Sequence, residues 1–172
     1  LHGNLNPAGP GNSIIESIQS LEGVSQARML RDSMVVITTQ IDGGPRPNES
    51  IDIPNEVAAE QQRLKISQLK DSIWQLKDSE NLRWIFITDD ELDLHAKGAQ
   101  RELLWQLFCR FEVSRDLHFD SERKRVCWDA TAPIPSLEGP MPVRRWPAVC
   151  LHPPELQSKV DEWYAKEVRS WV

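Results

Sequence analysis

The stretch Ile85-Phe86-Ile87-Thr88 runs straight into Asp89, Asp90, Glu91 and Asp93, four acids within five residues, with His95 two places further on. Two kinds of chemistry suit such a cluster. Carboxylate oxygens on neighbouring loop residues at the end of a strand can share one hard divalent cation. Asp89, Asp90, Asp93 and His95 would then be the ligands of a small metal-dependent enzyme. Alternatively, acids just ahead of a helix cap its free amides and complement its dipole, which needs no metal. The second reading is the simpler one, and it assigns no catalytic, cofactor-binding or metal residue to the cluster. The metal set remains the alternative.

Other chemistry-bearing residues are scattered. His2, His95, His118 and His152 form no H-E-x-x-H or H-x-H pattern, and no G-x-S-x-G elbow presents a nucleophile. Hydrolysis through a covalent intermediate is therefore not expected. "DGGP" is followed by no Lys-Ser/Thr pair, so a phosphate-cradling loop is not expected either. "RFEVSRD" (Arg110 to Asp116) and "VCWDAT" (Val126 to Thr131) place Arg115, Asp116 and Asp129 at element ends, where ion pairs or caps are the plain expectation.

The elements that must position these residues follow from periodicity. Ile14, Ile15, Ile18 and Leu21 recur at helical spacing behind an Asn12/Ser13 cap, with Glu16 completing a capping box and Gly23 as the stop. Val24 to Ile41 predicts a hairpin turning at Arg31-Asp32-Ser33, and "DGGPRPNESIDIP" a loop. Asn55 to Asp78 predicts a helix with the stripe Ile66, Leu69, Ile73, Leu76. "LRWIFIT" reads as a strand covered on both faces. "AQRELLWQLFCRF" reads as a helix turning Leu103, Leu104, Leu107, Phe108 and Phe111 inward. "DLHF" and "RVCW" are short strands, and the five prolines between Asp129 and Pro147 predict an extended, surface-hugging loop. Pro153-Pro154 open a final helix whose apolar face carries Leu156, Val160, Trp163, Tyr164, Val168 and Trp171. Two tryptophans there exceed what docking on one domain requires, so Val160, Trp163, Tyr164 and Trp171 are candidates for an interface.

The expected architecture is an α/β fold: a mixed sheet of about four to five strands covered by helices, with a long Pro-rich loop and a C-terminal helix. The 172 residues suffice for one domain. Residues 1–12 read as a linker or cloning remnant and 13–172 as the domain. A net charge of −6 with dispersed basic residues argues against nucleic acid as the partner, and "ERKR" (Glu122 to Arg125) reads as solvated charge. Cys109, Cys127 and Cys150 lack C-x-x-C spacing, the usage of a reducing, cytoplasmic compartment, and Cys109 and Cys127 read as small buried hydrophobes. No run approaches a membrane span.

The order of motifs resembles the C-terminal domain of the UbiD family, the prenylated-flavin-dependent decarboxylases of the 3-polyprenyl-4-hydroxybenzoate carboxy-lyase type, which serves ubiquinone biosynthesis. The resemblance rests on Asp89-Asp90-Glu91-Leu92-Asp93, Trp105, Cys109 to Asp116, Cys127 to Thr131 and Val160-Asp161-Glu162-Trp163, with "LEGVSQARMLRDSMVVITT" upstream. It spans about Ile14 to the end. Glu91 stands for an Asp of the family pattern, Glu112-Val113 for Asp-Pro and Cys127-Trp128 for Gly-Ile, and a longer family loop is reduced here to "DSERKR". The family keeps its prenylated FMN, divalent metal and catalytic residues in a preceding domain, so the resemblance carries no catalytic or cofactor-binding residue onto this chain. It implies a domain that packs against the flavin-binding domain and helps build a homo-oligomer of a lyase acting on an aromatic or α,β-unsaturated acid, such as a polyprenyl-hydroxybenzoate. Alone, such a chain is expected to be inactive. A stand-alone oligomerisation or partner-binding homologue is the alternative.

Overall fold

The computed structural model describes residues 11–41, 55–122, 124–137, 143 and 153–168. The elements run α1 (Gly11–Gln19), β1 (Val24–Arg31), β2 (Met34–Thr39), α2 (Glu56–Gln75), β3 (Trp84–Asp89), α3 (Ala99–Cys109), α4 (Val113–Asp116), β4 (Leu117–Phe119), β5 (Val126–Asp129) and α5 (Pro154–Trp163), which continues as a wider π-helical turn over Tyr164–Val168. The strands form one sheet in the order β1-β2-β3-β5-β4. Its three central strands are parallel, and β1 and β4 close the edges antiparallel. This is the expected mixed α/β architecture of five strands.

Alternation along the strands sorts the core into two layers. Val35 and Ile37 of β2, Ile85 and Ile87 of β3 and Cys127 of β5 meet Ile14 and Ile18 of α1 and Ile66, Leu69 and Ile73 of α2. Val36 and Phe86 point the other way, onto Leu103 and Leu107 of α3. A strand buried on both faces must be apolar at every position, which is why Ile85-Phe86-Ile87 shows no alternation, whereas Trp84 at the strand's start is exposed. Ile73 is fully buried in the first layer. Ile73→Ala should lower unfolding stability by roughly 3 kcal/mol in a urea titration, through lost transfer energy and an unfilled cavity; a loss below about 1 kcal/mol would mean α2 is only loosely docked.

Several local expectations change. α1 begins at Gly11, so Ser13 lies inside the helix rather than capping it. Gly23 does end that segment, at φ +85°, where Thr39 Oγ1 donates to its carbonyl at 2.6 Å. On α3, Leu104 and Phe108 are exposed, not inward: only Leu103, Gln106 and Leu107 fit the narrow contact with the sheet. Cys109 is exposed too, at the end of that helix, whereas Cys127 is buried. Arg125 is not simply solvated, because its guanidinium pairs with Asp120 at 2.9 Å and lies over the Trp74 ring. Residues 131–136 are buried instead of hugging the surface, for a reason given below. The loop 42–54, Trp146, Cys150 and Trp171 lie outside the described residues.

Candidate functional site

The chemistry-bearing side chains gather at the carboxyl ends of β3 and β5. Asp89, the last residue of β3, is buried and receives a charged hydrogen bond from Arg110 Nη1, just beyond α3. Its two carboxyl oxygens also accept the Ala132 N–H, at 3.2 and 3.1 Å. Burial raises the Asp89 carboxyl above its ordinary range, and Arg110 and the Ala132 amide oppose the rise. Arg115 donates through Nε and Nη2 to Asp116, at 2.5 and 2.7 Å, and reaches the Arg110 carbonyl at 2.8 Å. Motif pieces separated in the sequence thus close into one network.

The acidic string does something other than either reading foresaw. Leu92 and Leu94 are buried in the second core layer, so the alternating Glu91, Asp93 and His95 turn outward, and Asp90 is also exposed. Asp93 accepts the His95 N–H at 3.0 Å and so stabilises its own turn. The loop is tied to β1, where Gln26 accepts the Leu94 N–H and Arg28 donates to the Leu94 carbonyl. α3 begins only at Ala99, after Gly98 at φ +93°, and no acid caps it. The capping expectation is therefore corrected: Asp89 is one half of a buried ion pair, and Asp93 holds the turn that follows it. Among the described residues, no three His, Cys, Asp or Glu side chains converge as a metal cage.

Leaving β5, the chain is held by α2. The Gln62 carboxamide donates to Thr131 Oγ1 and the Ala132 carbonyl, at 2.8 and 2.9 Å, and accepts from the Ile134 N–H at 3.1 Å. Glu56 accepts from the Ser136 hydroxyl and the Leu137 N–H. Together with the Thr131, Ala132 and Ser136 N–H bonds to Asp129, Asp89 and the Val143 carbonyl, these bonds give each backbone N–H of 131–136 a partner, which is what allows the segment to be buried. Gln62 was missed in the sequence, although it lies four, seven and eleven residues before Ile66, Leu69 and Ile73. A polar residue in phase with an apolar stripe is the signal of a buried hydrogen-bonding role.

Between α2, α4, β4 and this segment lies a cleft of about 240 Å³, lined by Ala59, Ile66, Pro133 and Ile134 and by polar groups that include Asp129 and His118. Asp129 follows Cys127 by two residues on the same face, a phase that announces a largely enclosed acid. Its Oδ1 accepts both the Thr131 N–H and the Thr131 hydroxyl, at 2.9 and 2.6 Å. Burial, with Asp116 and Asp89 nearby, pushes its carboxyl up to about 7 despite the Thr131 bonds. His118 is pushed the other way, toward the neutral imidazole, by burial and by Lys70. The cleft does not fit a flavin: it is below the size usual for cofactors, and an acid is part of its lining.

No family model matches this chain, and no curated protein matches it. Among solved structures it is similar to vanillic acid decarboxylase of Sedimentibacter hydroxybenzoicus in the open form, with 14% identity and a TM-score of 0.51 over 90% of this chain and 32% of that one. The closed form gives 13% identity and a TM-score of 0.51, over 87% and 30% respectively. An evolved dimeric form of the UbiD-class enzyme HmfF from Pelotomaculum thermopropionicum, in complex with prFMN, aligns at 15% identity and a TM-score of 0.45, over 76% and 26%. At these identities the likeness is one of fold, and the chain spans about a third of the length of each vanillic acid decarboxylase structure. The fold expected from the order of motifs is thus the one this chain shares with that third of the vanillic acid decarboxylase structures. Among the described residues no helix is long and apolar enough to cross a membrane.

Proposed function

We propose that this chain is the C-terminal domain of a UbiD-like carboxy-lyase, serving assembly and packing against a flavin-binding domain that carries the prenylated FMN and its divalent metal. The parent reaction on this reading is non-oxidative decarboxylation of an aromatic or α,β-unsaturated acid. The observation that carries the assembly role is α5. Leu156, Val160, Trp163 and Tyr164 line it, and every described side chain on it is exposed, with Trp163 at 59%. An amphipathic helix with its apolar side in water is favoured only when something covers it.

Val160, Trp163 and Tyr164 are the interface residues on this reading, with Trp171 as the candidate beyond the described segment. Light scattering should find a dimer or larger species that the double variant Val160→Ser/Trp163→Ser converts to monomer. A monomer before and after substitution would sink the self-assembly role. The same exposed face suits a stand-alone oligomerisation or partner-binding module as a second reading. The two separate on whether the chain forms a complex with a UbiD-type flavin-binding domain produced separately.

A further inference from the structure

We propose that the cleft between α2, α4, β4 and the 131–136 segment is a binding site for a small primary amine with an apolar body about one ring in size, the ammonium group seated on Asp129. The proposal starts from which polar atoms on the cleft are already committed. Gln62 spends both carboxamide ends on the 131–134 backbone and Thr131. Arg115 is held by Asp116 and the Arg110 carbonyl. Arg63 commits only Nε, to Glu60 at 3.3 Å and the Ala59 carbonyl at 3.4 Å, and its exposed guanidinium keeps its other N–H groups for water. The Ser114 hydroxyl donates to Glu112, and the Thr131 hydroxyl to Asp129.

Beside the remaining N–H groups of Arg63 and Arg115, the cleft keeps a pair of acceptors. Both hydrogen bonds to Asp129 fall on Oδ1, which leaves Oδ2 without a donor from the described residues. His118 pairs with Cys127 across β4 and β5, so its imidazole lies on the same sheet face as Asp129. Held neutral, that ring offers a second lone pair. The opposite wall is apolar, built by Ala59, Ile66, Pro133 and Ile134. An unmatched carboxylate oxygen and a neutral imidazole facing an apolar wall select a donor-bearing cation over an anion. With about 240 Å³, the space suits a fragment rather than a nucleotide or flavin.

A consequence in protons follows. The charged and titratable groups around Asp129 and His118 are Asp116 and Arg115 on α4, Asp89 on β3, Arg110 after α3, Arg63, Lys70 and Asp71 on α2, and Cys127 on β5 itself. Asp116 and Asp89 disfavour the Asp129 carboxylate, and a bound ammonium would favour it. Amine binding should therefore expel a proton below neutrality, and affinity should climb as pH rises through the Asp129 titration.

The test is calorimetry with benzylamine, benzyl alcohol and benzoate on the full chain, between pH 5.5 and 8. The expected result is binding of benzylamine that strengthens about tenfold over that range, with proton release at the acid end seen by comparing buffers of different ionisation enthalpy. Benzyl alcohol should bind at least tenfold more weakly at pH 8 and without the pH slope. Asp129→Asn keeps the oxygen that Thr131 uses and should lose benzylamine at least tenfold while melting cooperatively. Amide spectra of the unsubstituted chain give a second readout, since benzylamine should shift the Thr131 and Ile134 N–H signals. No benzylamine binding, equal binding by Asp129→Asn, or benzoate as tight as benzylamine would each overturn the assignment.

Discussion

Replacing Arg110 with methionine is expected to destabilise the fold by roughly 3–5 kcal/mol at pH 7.5, the cost of leaving one member of a buried ion pair without its partner. Methionine keeps much of the packing, including the position over the Trp105 ring, so the loss is assigned to charge rather than volume. Asp89 is then left with the Ala132 N–H alone. Its carboxyl, already raised by burial, must rise further without the guanidinium. A raised carboxyl costs stability as pH climbs, because the folded state prefers the proton that the solvent removes. The Arg110→Met deficit should accordingly shrink toward pH 5, and adding Asp89→Asn should recover part of it at pH 7.5. Urea unfolding of the two single variants and the double variant measures the coupling. Additive losses with no pH dependence would show that Asp89 and Arg110 do not depend on one another.

Asp129→Asn should act in the opposite direction. The folded-state value of about 7 stands above the ordinary 3.8, so the unsubstituted protein is at its best below the lower value. It loses stability between the two and bears the whole cost above 7. Asparagine removes that penalty while still accepting the Thr131 bonds through Oδ1. The variant should gain roughly 2–4 kcal/mol at pH 8, or about 5–10 °C in melting temperature, and almost nothing at pH 4. Some slope must survive, because Asp89 is raised as well. Melting curves across this pH range decide it, and a variant less stable than the parent at pH 8 would mean that the carboxylate is compensated in a way the geometry does not contain.

The fold was legible where one local rule acts alone. Val35 to Thr39 is a β-branched run, Gly23 takes a left-handed backbone, and the Ile66, Leu69, Ile73 stripe has one period and one side; each became the element it announced. Leu104 and Phe108 were misjudged because α3 carries apolar residues on two sides, and only the width of the facing sheet decides which are covered. The candidate site was less legible. The acidic string drew attention by its composition, yet Asp90, Glu91 and Asp93 are exposed, and Asp93 holds its own turn. Asp89 takes its meaning from Arg110, twenty-one positions on, and no periodicity links them. Gln62 and Asp129 were readable in phase, as polar members of buried faces, but their partners across the fold were not.

The hold of α2 on the outgoing segment of β5 also fixes an order in time. Gln62 meets Thr131 across 69 positions, and Glu56 meets Leu137 across 81. Closing loops of that span costs entropy before any contact returns it. On a ribosome, a chain that has passed Gln75 but not yet reached Thr131 carries the whole of α2 with the Gln62 carboxamide still short of the segment it holds. The first half of the domain thus matures only after the second has been made.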